Sequence, residues 1–147
     1  MRKIMPTTYL LISILMMVAL HFRIPLVQVI PVPWNMVGAL PIVAGVALNL
    51  IADNAFRKGS TTVKPFEESN ILVTNGVFCL SRNPMYLGFI LILLGIAVIL
   101  GSLTPFAIVP VFAVLMDQVF IQVEESMLQV KFDQDWLEYK ATVRRWI

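Results

Sequence analysis

The sequence predicts an all-α integral membrane protein, folded as one domain over residues 1–147 with four transmembrane helices. Hydrophobic residues make up 59% of the chain and charged residues only 14%, whereas about a quarter of the residues in an average soluble domain are charged. The hydrophobic residues also come in long blocks instead of short alternating runs. This pattern indicates membrane spans and not the dense core of a soluble protein.

Four apolar blocks are long enough to be spans, and they cover residues 5–22, 37–52, 84–101 and 105–122. As a helix, the first block would rise roughly 27 Å, close to the hydrocarbon thickness of about 30 Å. Between the first two blocks, Pro25, Pro31 and Pro33 forbid a regular helix, so we expect an interfacial turn anchored by Trp34. The five-residue connection Gly101–Pro105 predicts that the last two blocks form an antiparallel helical hairpin.

The basic residues are distributed unevenly enough to predict the orientation of the spans. Only Arg23 falls on one side, and four spans would place the other ten on the opposite side: Arg2, Lys3, Arg57, Lys58, Lys64, Arg82, Lys131, Lys140, Arg144 and Arg145. By the positive-inside rule we expect both termini and the long polar segment 53–82 in the cytoplasm, in a multi-pass protein of the inner or plasma membrane. From Val123 onward the charged sequence predicts an amphipathic cytoplasmic tail.

The rarer residue types exclude some kinds of site. One cysteine, Cys79, and one histidine, His21, exclude an internal disulfide framework and predict no metal centre. Arg2 and Lys3 precede the first apolar block as in a signal peptide. No small-residue cleavage site follows them, so we expect a retained first helix. We expect the lipid bilayer, and no nucleic acid, as the partner of the chain.

The first candidate for chemistry lies where the third block begins. Asn83 is a favourable N-cap and Pro84 is favourable at the first helical position, so a helix should begin here. Its free N–H groups, together with Arg82, suit an anionic group such as a carboxylate. The alternative is that Asn83 and Pro84 only start a helix and that Arg82 only follows the positive-inside rule.

The second candidate is the adjacent pair Glu124 and Glu125, just beyond the fourth block. Neighbouring side chains on a helix point about 100° apart, so one acid is expected to face the bundle and the other to face water. An acid pair beside a membrane suits ribose hydroxyl groups or a cation, whereas the alternative is a solvated amphipathic tail.

Asp117 is a third polar residue of interest, because it lies inside the fourth block. A charge at mid-bilayer costs about 2.5–3.5 kcal/mol even on lenient scales, which favours a functional role. Asp117 is also only about 7.5 Å by helical rise from the end of the block, where hydration would cost little. Both interpretations stay open.

The motifs of the second half, taken in order, resemble those of a known family. They are Leu-Val-Thr-x-Gly at 72–76, Arg-Asn-Pro-Met-Tyr-Leu-Gly at 82–88, Glu-Glu-x-x-Leu at 124–128 and Arg-Arg-Trp at 144–146. The set resembles the isoprenylcysteine carboxyl methyltransferase family, and the membrane phospholipid methyltransferases are similar. The resemblance covers about residues 54–147, and the first two blocks match only as hydrophobic segments.

The resemblance implies a methyltransferase that uses S-adenosylmethionine, with its site at the cytoplasmic ends of the last two spans. The residues that would bind the cofactor are Asn70, Ile71, Leu72, Val73, Phe78, Arg82, Asn83, Pro84, Met85, Glu124 and Glu125. The catalytic residues stay unassigned, and the candidates are Gln118, Glu125 and Arg144. The implied acceptor is lipophilic: a prenylcysteine carboxylate, a lipid amine or a thiol. The isoprenylcysteine enzymes have Arg at the position of Gln118 and Glu at that of Gln122, which counts against the carboxylate.

Two non-enzymatic alternatives remain at this stage. A small four-helix multidrug exporter carries an essential acid in its first span, but residues 5–22 contain none and only Asp117 is placed within a span. An assembly subunit that kept the fold and lost its activity is the other alternative, and the substituted positions Gln118 and Gln122 favour it.

Overall fold

The computed structural model describes residues 5–24, 26–59 and 71–147, and within these ranges it contains helices and no β-strand. The helices are α1 (Pro6–Arg23), α2 (Ala39–Lys58), α3 (Pro84–Leu100), α4 (Leu103–Phe106), α5 (Ile108–Met116) and α6 (Gln122–Thr142). Short 3₁₀ turns cover Trp34–Gly38 and Gly76–Cys79, and a π turn, Asp117–Ile121, joins α5 to α6. The prediction of an all-α fold is therefore confirmed for the described residues.

Several of these helices are long and apolar enough to cross a bilayer. In the described part of the chain, three helical stretches meet that condition, namely Pro6–Arg23, Trp34–Lys58 and Leu103–Thr142. The apolar helix α3 is shorter, with 17 residues. Helix α2 runs six residues past the end of its predicted block, because its polar last turns continue the helix. An ion pair of 2.7 Å between Arg57 and Asp53, one turn apart, supports those turns.

The connection between α3 and α4 is shorter than the predicted five residues. Gly101 ends α3 in the left-handed region (φ 73°), and its N–H donates to the carbonyl of Ala97 at 2.9 Å. Glycine suits this position because it has no Cβ to clash there. Helix α4 then begins at Leu103, so Gly101 and Ser102 alone make the turn. Pro105 is accommodated inside α4, within the first turn, where a missing N–H breaks no helical hydrogen bond.

Residues 26–33 are not helical, as the prolines predict, and they lie against this turn (Pro25 is outside the described residues). The N–H groups of Val29 and Ile30 donate to the carbonyl of Gly101 at 2.7 and 3.0 Å. The N–H of Leu103 donates to the carbonyl of Val27 at 2.9 Å. These bonds satisfy backbone groups that would otherwise be left unpaired at this end of the bundle.

Helices α2 and α3 approach each other along a line of glycines. Gly38 faces Gly95 and Gly45 faces Gly88, with the same seven-residue spacing on both sides. A Cβ placed on Gly45 would lie 2.5 Å from the carbonyl oxygen of Gly88, so no side chain fits there without moving the backbone. Small residues of this kind allow close packing of helices in membranes. Ala44, the small residue next to Gly45, is exposed.

Two hydrophobic clusters fill the interior. The larger one joins α1, α3, α5 and the π turn through buried residues that include Met17, Phe89, Leu93, Phe112, Met116 and Phe120. The smaller one packs the end of α2 and the second 3₁₀ turn against α6, through Ala52, Phe78, Trp136 and Tyr139. The smaller cluster therefore places the C-terminal part of α6 next to the beginning of α3.

The glycine line predicts a sharp difference between two neighbouring substitutions. Gly45→Val should lower the free energy of unfolding by about 2 kcal/mol or more, because the added atoms collide with the backbone of α3. Ala44→Val should change it by less than about 0.5 kcal/mol, because that side chain is exposed. Thermal unfolding of the purified proteins in one detergent compares them, and equal midpoints would contradict the close helix contact.

Candidate active site

The two polar clusters that the sequence singled out meet in the structure. Arg82 lies two residues before the start of α3, and Glu125 lies in the first turn of α6. The Nη2 atom of Arg82 is 3.2 Å from Oε1 of Glu125, and the two side chains are only 7% and 9% exposed. The residues around this ion pair form the candidate active site.

A segment that follows α6 closes one side of the site. At Val143 the backbone becomes extended (φ −117°, ψ 131°), and residues 143–146, called the strap here, run beside the beginning of α3. Three hydrogen bonds hold its carbonyls: Arg82 N–H to Arg144 at 3.0 Å, Ser81 Oγ to Arg145 at 3.2 Å and Asn83 Nδ2 to Arg145 at 3.1 Å. Asn83 is the N-cap residue as predicted, but its side chain contacts the strap instead of capping α3.

The strap places Arg145 between two acids. Its Nε and Nη2 atoms donate to Oε1 and Oε2 of Glu125 at 3.2 and 2.6 Å, and its Nη1 atom donates to Oδ1 of Asp117 at 3.0 Å. The hydrogen bonds to Glu125 raise the pKa of Arg145, against a smaller lowering by burial. Asp117, Arg145, Glu125 and Arg82 thus form a row of alternating charges, called the charge row, whose formal charges cancel.

The π turn explains how one guanidinium reaches both acids. Asp117 and Glu125 are eight residues apart, a separation that would turn their side chains about 80° from each other on a regular α-helix. The π turn has roughly 4.4 residues per turn, and five such residues remove most of that angle. Asp117 and Glu125 therefore share one face of the helical run. The second oxygen of Asp117 accepts a hydrogen bond of 3.0 Å from Gln122.

Glu124 also points inward, contrary to the expectation that one acid of the pair would face water. Its Oε1 atom accepts a hydrogen bond of 2.8 Å from the hydroxyl group of Tyr86. Tyr86 lies in the first turn of α3, and its ring packs against Phe89 and Phe120. Both acids have a partner at the beginning of α3: Tyr86 in its first turn for Glu124, and Arg82 just before it for Glu125.

Three buried hydrogen-bond donors in the site lack an acceptor among the described residues. They are Nε and Nη1 of Arg82 and Nε1 of Trp136. The guanidinium carbon of Arg82 lies 5.6 Å from the centre of the Trp136 ring, so these donors are close together. Buried polar groups in proteins almost always have a partner. The site can therefore accept a ligand that offers oxygen or nitrogen acceptors.

An apolar surface lies beside these donors. Phe78 is buried, packs edge-on against Phe56, and accepts a 2.7 Å hydrogen bond at its carbonyl from the hydroxyl group of Tyr139. Leu72, Val73 and Met85 pack partly buried against the same cluster. Pro84, the first residue of α3, is fully buried.

The remaining predicted site residues are not gathered here in the same way. Ile71 is exposed, and Asn70 lies outside the described residues. Gln118 is exposed on an outward groove whose other lining residues are Pro110, Val111, Val114, Leu115 and Val119. Arg144 is also exposed, and only its backbone carbonyl takes part, as the acceptor for Arg82.

Sequence reasoning missed two residues of the site, Arg145 and Trp136. Arg145 was passed over for its neighbour Arg144, because a helical tail gives no reason to prefer one of the pair. The structure shows that the chain leaves the helix at Val143, and beyond it the side chain of Arg145 turns inward whereas that of Arg144 is exposed. For Trp136 a signal existed, since Phe132, Trp136 and Tyr139 have the spacing of one helix face.

The sequence profile of the phospholipid methyltransferase family matches residues 34–135. An uncharacterized protein from Haemophilus influenzae is 38% identical over 63 residues, which are 43% of this chain and the full length of that protein.

The charge row predicts a stability effect that does not depend on any ligand. Glu125→Ala should lower the free energy of unfolding by about 3 kcal/mol, because two guanidinium groups lose the anion between them. Glu138→Ala removes an exposed acid of the same helix and should change it by less than about 0.5 kcal/mol. Thermal unfolding in lipid nanodiscs measures both, and a Glu125→Ala protein as stable as its control would contradict the buried network.

Proposed function

This chain belongs to the phospholipid methyltransferase family, and from that premise we propose that it transfers a methyl group from S-adenosylmethionine to a lipid-type acceptor at the cytoplasmic face of the membrane. The observation that carries the proposal is the buried Arg82 guanidinium, which has two N–H positions without an acceptor among the described residues. It lies at the beginning of a helix whose N-cap side chain is engaged elsewhere.

The residues present fit the charged parts of this cofactor. A carboxylate, such as that of the methionyl group, matches the free edge of Arg82 and would add the charge-assisted hydrogen bonds that the guanidinium lacks. The uncapped first turn of α3 contributes partial positive charge at the same place. Trp136 Nε1 offers one further donor. The two acids, Glu124 and Glu125, would attract the positively charged sulfonium or accept hydrogen bonds from ribose hydroxyl groups.

The apolar surface would hold the base of the nucleoside. Phe78, Leu72 and Val73 would line it, and Met85 and Pro84 would separate it from the charge row. We also propose cofactor contacts for Asn70, Ile71 and Asn83, as the resemblance implies; Asn70 lies outside the described residues. Arg82 and Phe78 have the strongest support, because Arg82 carries two of the unpaired donors and Phe78 is buried in the same cluster as Trp136, which carries the third.

When bound, the cofactor supplies a methyl group on a positively charged sulfur, ready for an in-line displacement. The protein then has to align donor and acceptor and to exclude water. Glu125 is suited to binding and not to proton transfer, because guanidinium groups already contact both of its oxygens. A free amine or an already anionic nucleophile needs no strong base. Gln118 and Arg144 stay candidates for catalysis, with no role assigned to either.

We propose that four crossings place the site at the cytoplasmic end. Helix α3 rises roughly 26 Å, enough to cross a core of about 30 Å with slight thinning of the bilayer. Arg57 and Lys58 end α2 near the site, whereas Arg23 ends α1 at the other side of the bundle. The positive-inside rule then gives the orientation, to which Arg2, Lys3 and Lys64, outside the described residues, would also contribute.

The acceptor that fits best is a lipid amine or a thiol. Gln118 stands where the isoprenylcysteine enzymes have a cation, and an uncharged amide cannot form a bidentate ion pair with a carboxylate. The outward groove beside Gln118 is apolar, which suits a lipid chain. A prenylcysteine carboxylate is therefore less favoured.

A proton-coupled carrier is disfavoured by the surroundings of Asp117. Its two oxygens accept hydrogen bonds from Arg145 and Gln122. Both oxygens are therefore engaged by other side chains, whereas the essential acid of a carrier must be accessible to the transported cation.

Cofactor binding tests the site directly. The wild-type protein in lipid nanodiscs should bind S-adenosylmethionine in titration calorimetry, and Arg82→Ala should weaken binding at least about tenfold, because a charged hydrogen-bond partner is lost. Lys58→Ala, which removes an exposed cation, should bind like the wild type. No heat of binding for the wild type would end the proposal, and unchanged binding by Arg82→Ala would place the cofactor elsewhere.

The acceptor is tested by following the methyl group. Purified protein with methyl-labelled cofactor should transfer label to phosphatidylethanolamine vesicles, and not to a prenylcysteine peptide carrying a free carboxylate. Label in the peptide alone would contradict the preference argued from Gln118. Cofactor binding without transfer to lipid, peptide or thiol acceptors would instead favour the assembly-subunit alternative.

A further inference from the structure

Arg145 contacts both acids of one helical run from a segment that is not itself helical. All three of its nitrogen atoms donate, two to Glu125 and one to Asp117. The backbone of the strap is fixed by Ser81 and Asn83, which donate to the carbonyl of Arg145. The backbone of Arg145 is therefore held beside the beginning of α3, and its guanidinium group is held by the π turn and by α6.

The two arginines of the charge row compete for Glu125. Arg145 makes the shorter contact, 2.6 Å to Oε2, and also donates to Oε1. Arg82 contacts Glu125 through Nη2 alone, at 3.2 Å to Oε1. Arg145 thus occupies the carboxylate in the forked geometry that guanidinium groups prefer, and Nε and Nη1 of Arg82 are left without an acceptor among the described residues.

Removing Arg145 would change what Arg82 can do. A buried guanidinium beside a carboxylate gains most by pairing with both oxygens. Without its competitor, Arg82 would turn its Nε edge to Glu125 and use up the donors that face the ligand. Asp117 helps to prevent this turning of Arg82 without contacting it, because Asp117 holds the third guanidinium nitrogen of Arg145 in place. The π turn sets the position of Asp117.

We propose that Arg145 is a positioning residue: by holding Glu125 from the strap, anchored on Asp117, it keeps the donors of Arg82 free for the carboxylate of the cofactor. The inference rests on the proposed function, since it assumes that Arg82 binds that carboxylate. It assigns no contact between Arg145 and the cofactor.

Two nucleosides that differ in the amino-acid part separate this role from general damage to the site. S-adenosylhomocysteine carries the carboxylate, whereas 5′-methylthioadenosine lacks the whole amino-acid end. The wild-type protein in nanodiscs should prefer the first in titration calorimetry. Arg145→Ala should lower that preference about tenfold, by weakening S-adenosylhomocysteine and leaving methylthioadenosine nearly unchanged.

Further variants within the charge row extend the test. Asp117→Asn should lower the preference about threefold, and it should have no further effect in the Arg145→Ala background, since the two residues act through one contact. Arg145→Lys should retain part of the preference, because an ammonium group can hold Glu125 but cannot reach both acids in forked geometry. Lys140→Ala, an exposed cation of α6, is the control and should keep the full preference.

Each outcome decides between the two proposals. A wild-type protein that binds neither nucleoside would end the proposed function itself. If the wild type binds both and the Arg145 and Asp117 variants weaken both nucleosides equally, or neither, the positioning role is wrong while the function stands. Should Arg145→Ala fail to fold, Arg145→Lys and Asp117→Asn give the same readout and decide the matter.

Discussion

The Glu125 carboxylate, held between two guanidinium groups, is the interaction on which the rest of the site depends. A buried charge is costly unless it is paired and hydrogen-bonded, so the network forces α3, α6 and the strap into fixed positions around one acid. Arg82 and Glu125 are 43 positions apart in the sequence, and Arg145 is a further 20. One carboxylate thereby fixes α3, α6 and the strap relative to one another, which hydrophobic packing alone would not do.

The apolar part of the fold serves this site from a distance. The glycine line lets α2 lie directly against α3, and the end of α2 then supplies Ala52 and Phe56 to the cluster under Phe78 and Trp136. At the other end of the bundle, residues 26–33 pair with the short turn after α3. The position of α3 along its own axis and its rotation about that axis are therefore both fixed before any ligand binds.

The sequence predicted those features that a local pattern encodes. Long apolar blocks predicted where the long apolar helical stretches begin to within a few residues. They did not predict where two of these stretches end, because hydropathy falls while the helices continue to Lys58 and to Thr142. That Arg82 and Glu125 belong to one site was expected from the two motifs, but their direct ion pair was not. The inward position of Glu124 was not expected either, because it depends on Tyr86 in another helix. The choice of Arg145 over Arg144 depends on the end of α6 before Val143 and on the non-helical strap that follows, neither of which a local pattern of the charged tail predicts.

The π turn has a consequence for how this protein can change its length. Between Asp117 and Gln122 the number of residues, and not their chemistry, fixes the rotation of α6 against α5. The five residues of the π turn complete about the same rotation as four residues of a regular α-helix. Deleting one residue there would therefore restore a regular α-helix and leave Asp117 and Glu125 seven residues apart, about 20° from each other on the same face. Inserting one residue would instead rotate α6 by about 100° and carry Glu125 off the face that Asp117 occupies. The charge row should therefore tolerate the loss of one residue from this turn far better than the gain of one.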